Sequence, residues 1–90
     1  MSKKVNKIDN ILFVKDVATG LELPFDERWK FNGDYEKPTF YPSMYCDFGE
    51  NRITHCFVKE GKIEYLNDCT HEMAGQTVDC LDYSEEEENE

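Results

Sequence analysis

The sequence predicts a mainly β fold, a small single-domain antiparallel sheet with at most a short helix. Three observations carry that expectation. Short runs of β-branched and aromatic residues recur along the chain, the composition that suits a pleated, half-buried surface. Turn-forming pairs such as Thr19-Gly20, Asn32-Gly33 and Glu60-Gly61 separate those runs, as the connections of a β protein do. No segment sustains the 3.6-residue apolar period of an amphipathic helix.

Residues 11–17 open the core with Ile11-Leu12-Phe13-Val14 and end at Ala18-Thr19-Gly20, so they predict a first strand and a turn, with residues 21–24 returning beside it. In Arg28-Trp29-Lys30-Phe31 charged and aromatic residues alternate. That period of two turns Trp29 and Phe31 to one face. The next run, Lys37-Pro38-Thr39-Phe40-Tyr41-Pro42-Ser43, holds two prolines and reads as an edge strand or an extended connection, because proline cannot donate to a ladder. Residues 45–48, 52–58 and 62–66 read as further strands, the last two forming a hairpin through Lys59-Glu60-Gly61. Within that hairpin His55 shares a face with Ile53 and Phe57, and Cys56 points the other way. Residues 72–76 allow one helical turn, and residues 77–81 resemble a last strand.

Ninety residues make one domain, near the lower range of independent stability, where a metal often contributes. Residues 1–8 read as a flexible basic arm, 9–83 as the β-rich domain and 84–90 as a disordered acidic tail. The tail supplies half of the net charge of -10. A chain this acidic lacks the basic face that phosphate contacts need, so nucleic acid is not an expected partner. No apolar run approaches a membrane span or a signal peptide, and the expected location is cytoplasmic. A reducing compartment turns Cys46, Cys56, Cys69 and Cys80 away from disulfides and toward metal binding, burial or chemistry.

The densest chemistry lies in Asn67-Asp68-Cys69-Thr70-His71. In an extended backbone Cys69 and His71 point the same way, and the hairpin brings His55, the only other histidine, toward them. His55, Cys69 and His71 are therefore expected zinc ligands, with Cys46 or a water as the fourth. Zinc takes mixed nitrogen and sulfur donors tetrahedrally. Four protein ligands make a structural site, and three plus water an open one. The alternative is that both imidazoles merely hydrogen-bond beside the core and the thiols are small buried apolar groups.

A second constellation comprises Ser43, one of the two histidines and Asp68. Serine becomes a nucleophile when an imidazole takes its proton and a carboxylate orients that imidazole. No Gly-x-Ser-x-Gly elbow surrounds Ser43, and Pro42 beside it equally suits a plain turn. A third option pairs the Cys69 thiol with His71. Near Gly75, backbone amides offer an oxyanion site, although a glycine there more commonly serves a positive φ.

Four blocks, Trp29-Lys30-Phe31-Asn32-Gly33, Pro38-Thr39-Phe40-Tyr41-Pro42-Ser43, His55-Cys56-Phe57-Val58-Lys59-Glu60-Gly61-Lys62-Ile63 and Asp68-Cys69-Thr70-His71-Glu72-Met73-Ala74-Gly75-Gln76-Thr77-Val78, together resemble a family of small bacterial and phage proteins of unknown function. Some of its members accompany ubiquitin-like modifiers and their E1-like and E2-like enzymes and look like peptidases acting on those modifiers. The resemblance marks Ser43, His55, Asp68, His71, Gln76 and Thr77 as the polar members of the pattern. Thr54 stands where the family usually has cysteine, and Met73 where it has leucine.

The leading expectation is a zinc-binding hydrolase of peptidase type, acting on a protein or ubiquitin-like modifier. Zinc-bound water attacks the carbonyl, Asp68 assists proton transfer, and Ser43 or an amide near Gly75 holds the oxyanion. The competing expectation is a non-enzymatic interaction module of phage or bacterial origin that engages a protein partner, with the Cys/His cluster purely structural.

Overall fold

The computed structural model describes residues 3–83; the expected acidic tail lies outside them. Among the described residues eight strands occur in order: β1 (Asn6–Ile8), β2 (Ile11–Lys15), β3 (Glu22–Phe25), β4 (Lys30–Phe31), β5 (Phe40–Asp47), β6 (Ile53–Lys59), β7 (Lys62–Tyr65) and β8 (Thr77–Asp79). They build two antiparallel sheets, β1-β2-β3 and β4-β5-β6-β7-β8. The fold is all-β as expected, and residues 72–76 form a turn, with Gln76 N–H donating to the Met73 carbonyl at 3.0 Å.

Alternation along each strand builds the core between the sheets. Leu23 and Phe25 of β3 are buried while Glu22 and Pro24 are exposed, and β6 buries Thr54, Cys56 and Val58. Phe40 is the pivot. Its ring stacks on Phe25 from the other sheet at 4.1 Å between centroids and on Phe31 at 4.7 Å. Burying rings of this size contributes about 2 to 3 kcal/mol each through area removed from water. Glu60 and Gly61 both have positive φ (50° and 80°), the conformation that lets a two-residue turn match the twist of β6 and β7.

Residues 5–8 differ from the frayed arm expected of them. Val5 is fully buried, and Asn6–Ile8 pair with β2 as β1. The physical reason is closure at the chain ends. Lys4 N–H donates to the Tyr35 carbonyl at 2.8 Å, and Tyr83 N–H donates to the Lys3 carbonyl at 2.6 Å. Flanking Lys3, Lys4, Asn6 and Lys7 hid one apolar side chain, Val5, that the core captures.

The two sheets are also joined by a buried carboxylate. Asp16, just after β2, is fully buried. Its Oδ2 accepts from Thr54 Oγ1 and from Thr19 Oγ1, each at 2.7 Å, and its Oδ1 accepts from the Tyr65 hydroxyl. Every one of those donors is a hydroxyl, so the carboxylate is satisfied without a counter-ion.

Candidate functional site

Strand β5 departs from regular pairing where it carries Ser43. Phe40 pairs with Val58, but Met44 pairs with Cys56, so four steps on β5 match two on β6. The extra residues form a bulge, a device that re-aims a side chain, and Pro42 fits there because its missing N–H leaves no ladder partner wanting. Trp29 Nε1 donates to the Ser43 carbonyl at 3.2 Å, fixing the backbone that bears the hydroxyl.

His55 sits on the neighbouring strand, opposite Tyr45. Its Nε2 lies 3.2 Å from Ser43 Oγ. Its Nδ1 lies 2.8 Å from Asp68 Oδ2 and 3.1 Å from Oδ1. Since a carboxylate only accepts, Nδ1 carries the proton and Nε2 is free to accept from the serine hydroxyl. The Tyr45 ring meets the imidazole edge-on at 5.3 Å. The histidine side chain is 25% exposed and the aspartate 56%, so the series runs from a half-buried hydroxyl to an open carboxylate.

Asp68 is held by a loop that continues the ladder after β7 ends. Leu66 N–H donates to the His55 carbonyl at 2.8 Å, and Thr70 N–H donates to the Ile53 carbonyl at 3.1 Å. Between them the Cys69 thiol takes a strand's place. It accepts from His55 N–H at 3.2 Å and donates to the His55 carbonyl at 3.3 Å. Burial pushes this thiol above its ordinary pKa, so it stays protonated and able to donate.

His71 occupies the other face of β6. Its Nε2 lies 3.2 Å from Thr54 Oγ1, its Nδ1 accepts from Met73 N–H at 3.2 Å, and the Tyr65 ring meets it edge-on at 4.8 Å. Thr54 and His55 are consecutive on a strand and point apart, so the two imidazoles do not share a pocket. Cys46 pairs with Thr54 and contacts Met44 Sδ at 3.6 Å. Among the described residues no three His, Cys, Asp or Glu side chains are grouped to hold a metal ion. Of the expected site residues, then, Ser43, His55 and Asp68 come together, Cys69 braces them from the backbone side, and His71 and Cys46 belong to the inner face.

A surface cavity of about 510 Å³ adjoins His71 and is lined also by Val17, Ala18, Glu72, Met73 and Gln76. Gly75, in the turn beside it, has φ 81°, and its N–H is spent on the Tyr65 carbonyl at 3.1 Å. An added Cβ would lie 2.8 Å from Asn67 Oδ1. Its glycine is thus required by the turn. Sequence reading missed Trp29 as the support of Ser43, Tyr45 as the neighbour of His55 and Asp16 as the inter-sheet anchor. Only the alternation around Trp29 hinted at the first.

A two-sheet all-β domain that presents serine, histidine and aspartate in hydrogen-bonded series has the arrangement of a serine hydrolase. The family comparison agrees with that class: residues 16–66 match the model of the bacterial ubiquitination-like system serine protease, BubE. The match spans more than half of the 90 residues, and the chain belongs to this family. It takes in Ser43 and His55 and stops two residues short of Asp68. No curated protein and no solved structure matches the chain. No helix among the described residues is long and apolar enough to cross a membrane.

Proposed function

We propose that this protein is a serine protease that cleaves an acyl bond in a protein of a bacterial ubiquitination-like system, with Ser43 as nucleophile, His55 as general base and Asp68 orienting the imidazole. One observation carries the reading: Ser43 Oγ stands 3.2 Å from His55 Nε2 while Nδ1 stands 2.8 Å from Asp68. Ser43 Oγ attacks the carbonyl carbon as its proton passes to Nε2. The imidazolium, stabilised by Asp68, returns that proton to the leaving group, and an acyl ester on Ser43 remains. Water then attacks the ester, losing its proton to His55, and the imidazolium returns that proton to Ser43 Oγ as the carboxylate product departs.

The family name supports a substrate within the modifier pathway. A fluorophosphonate probe tests the nucleophile directly. Mass spectrometry is expected to place the adduct on Ser43, with labelling lost in Ser43→Ala and His55→Ala. An adduct elsewhere, or undiminished labelling in Ser43→Ala, overturns the assignment. The expected zinc ligands His55, Cys69, His71 and Cys46 do not converge on one point among the described residues, and elemental analysis of purified protein is the check: an active, metal-free protein is expected, and stoichiometric zinc lost on substitution of those side chains would overturn the serine mechanism.

A further inference from the structure

Strand β5 carries Ser43, and only one of its two long edges is paired along the strand's whole length, with the bulge at 41–43 interrupting it. On one side β6 runs along it from Phe40 to Asp47; on the other, β4 reaches only Phe40 and Tyr41. The direction of each backbone group follows from the ladder. The N–H and C=O of His55 both engage the loop beyond β7, through Cys69 Sγ and Leu66 N–H. Those of Ile53 engage Thr70 in the same direction. In an antiparallel pair, residues that turn away from a partner face residues that also turn away. Tyr45 opposes His55 and Asp47 opposes Ile53, so the N–H and C=O of Tyr45 and Asp47 point to the edge that β4 leaves open. Phe48 N–H donating to the Arg52 carbonyl at 2.8 Å confirms the phase of the ladder.

The same phase accounts for Trp29. Ser43 lies two residues before Tyr45, its carbonyl points to the open edge, and the indole N–H of Trp29 occupies it. The edge is therefore closed up to the nucleophile and open immediately after it. Tyr45, 54% exposed, stands at this opening. Among the described residues no backbone pairs with it.

We propose that the open edge of β5, at Tyr45 and Asp47, binds the protein substrate as an added β-strand, laying an extended segment of its chain beside Ser43. This deepens the serine-protease reading and rests on it. Strand addition draws affinity from main-chain hydrogen bonds, so the occupant is an extended, unstructured stretch of polypeptide whose side chains contribute little. Continuity argues for substrate in this position: the open edge and the hydroxyl belong to one strand, two residues apart. A strand added there exchanges hydrogen bonds with Tyr45 and Asp47 through every second residue, while the residues between turn their backbones to solvent.

That alternation is the test. The probes are four-residue peptidyl diphenyl phosphonates of alanine and glycine, each carrying one N-methyl group moved stepwise along the peptide, with a non-peptidic fluorophosphonate as reference. Ser43 labelling rates are measured with the full chain. Methylation at alternate positions is expected to slow labelling about tenfold, the equivalent of one lost hydrogen bond, and methylation between them to leave it unchanged. Rates that ignore the methyl position, with fluorophosphonate labelling of Ser43 intact, overturn strand addition and leave the serine assignment standing. Failure of the fluorophosphonate itself overturns the assignment beneath it. A concentration-dependent dimer that slows peptidyl labelling would mean a second copy fills the edge, and that also defeats the proposal.

Discussion

Asp68 is the least protected of the three residues at the site, more than half exposed against one quarter for His55. Water therefore competes for both its carboxylate and the imidazole it orients. A buried aspartate in this role is worth roughly 10⁴-fold in turnover. Asp68→Asn is expected to lower kcat by less than that but by at least about tenfold, with KM little changed, because the interaction strengthens as the imidazole becomes charged. Steady-state hydrolysis by the purified variant checks this. A loss confined to KM would show that Asp68 binds substrate and does not orient His55. Ser43 and Asp68 were legible in the sequence as residue types, yet their partner histidine was not. Only the alternation of Thr54 and His55, combined with which neighbours face each, separates His55 from His71.

At the scale of elements, the site depends on β6, which presents different chemistry on its two faces. Outward it offers His55 to Ser43; inward it offers Thr54 to Asp16 and His71. Most strands were readable from turn residues and β-formers, down to the hairpin at Glu60-Gly61, but β1 was not. The bulge in β5 was not readable, because a proline in a strand signals irregularity without saying how many residues loop out. Nor was the anchor at Asp16, since a carboxylate within a predicted strand reads as a solvent-facing position. Asp16→Ala would leave the hydroxyls of Thr54 and Tyr65 buried without their acceptor, at about 1 to 3 kcal/mol each. Urea denaturation is expected to show about 3 kcal/mol lost, and a midpoint unchanged from the parent would refute an anchoring role.

For the whole molecule, the two sheets enclose thiols that titrate differently from exposed ones. Burial pushes Cys80 up to about 12 and Cys56 higher still. In an unfolded chain both ionise near the ordinary value of 9.0. A pKa raised by folding means the folded state prefers the neutral thiol. Stability is thus complete below pH 9 and declines as pH rises from there toward 12, since the unfolded chain releases protons first. Thermal unfolding is expected to show Tm falling across that window, with Cys80→Ala flattening part of the slope. A parent curve flat from pH 9 to 11 would contradict it.

The contact between Lys3 and Tyr83 also orders events in time. It ties the beginning of the described chain to its end, and Val5 shares the core with Cys80. A growing polypeptide emerges from its amino end, so β1 can pair with β2 at once, but Lys3 and Val5 wait for Tyr83 and Cys80 to be synthesised. Pairings so distant along the chain form slowly because the intervening loop must first be closed. The hairpins β1-β2 and β6-β7 can zip locally long before that, which leaves the closing of residues 3–5 against Cys80 and Tyr83 as the step on which completion of the native molecule waits.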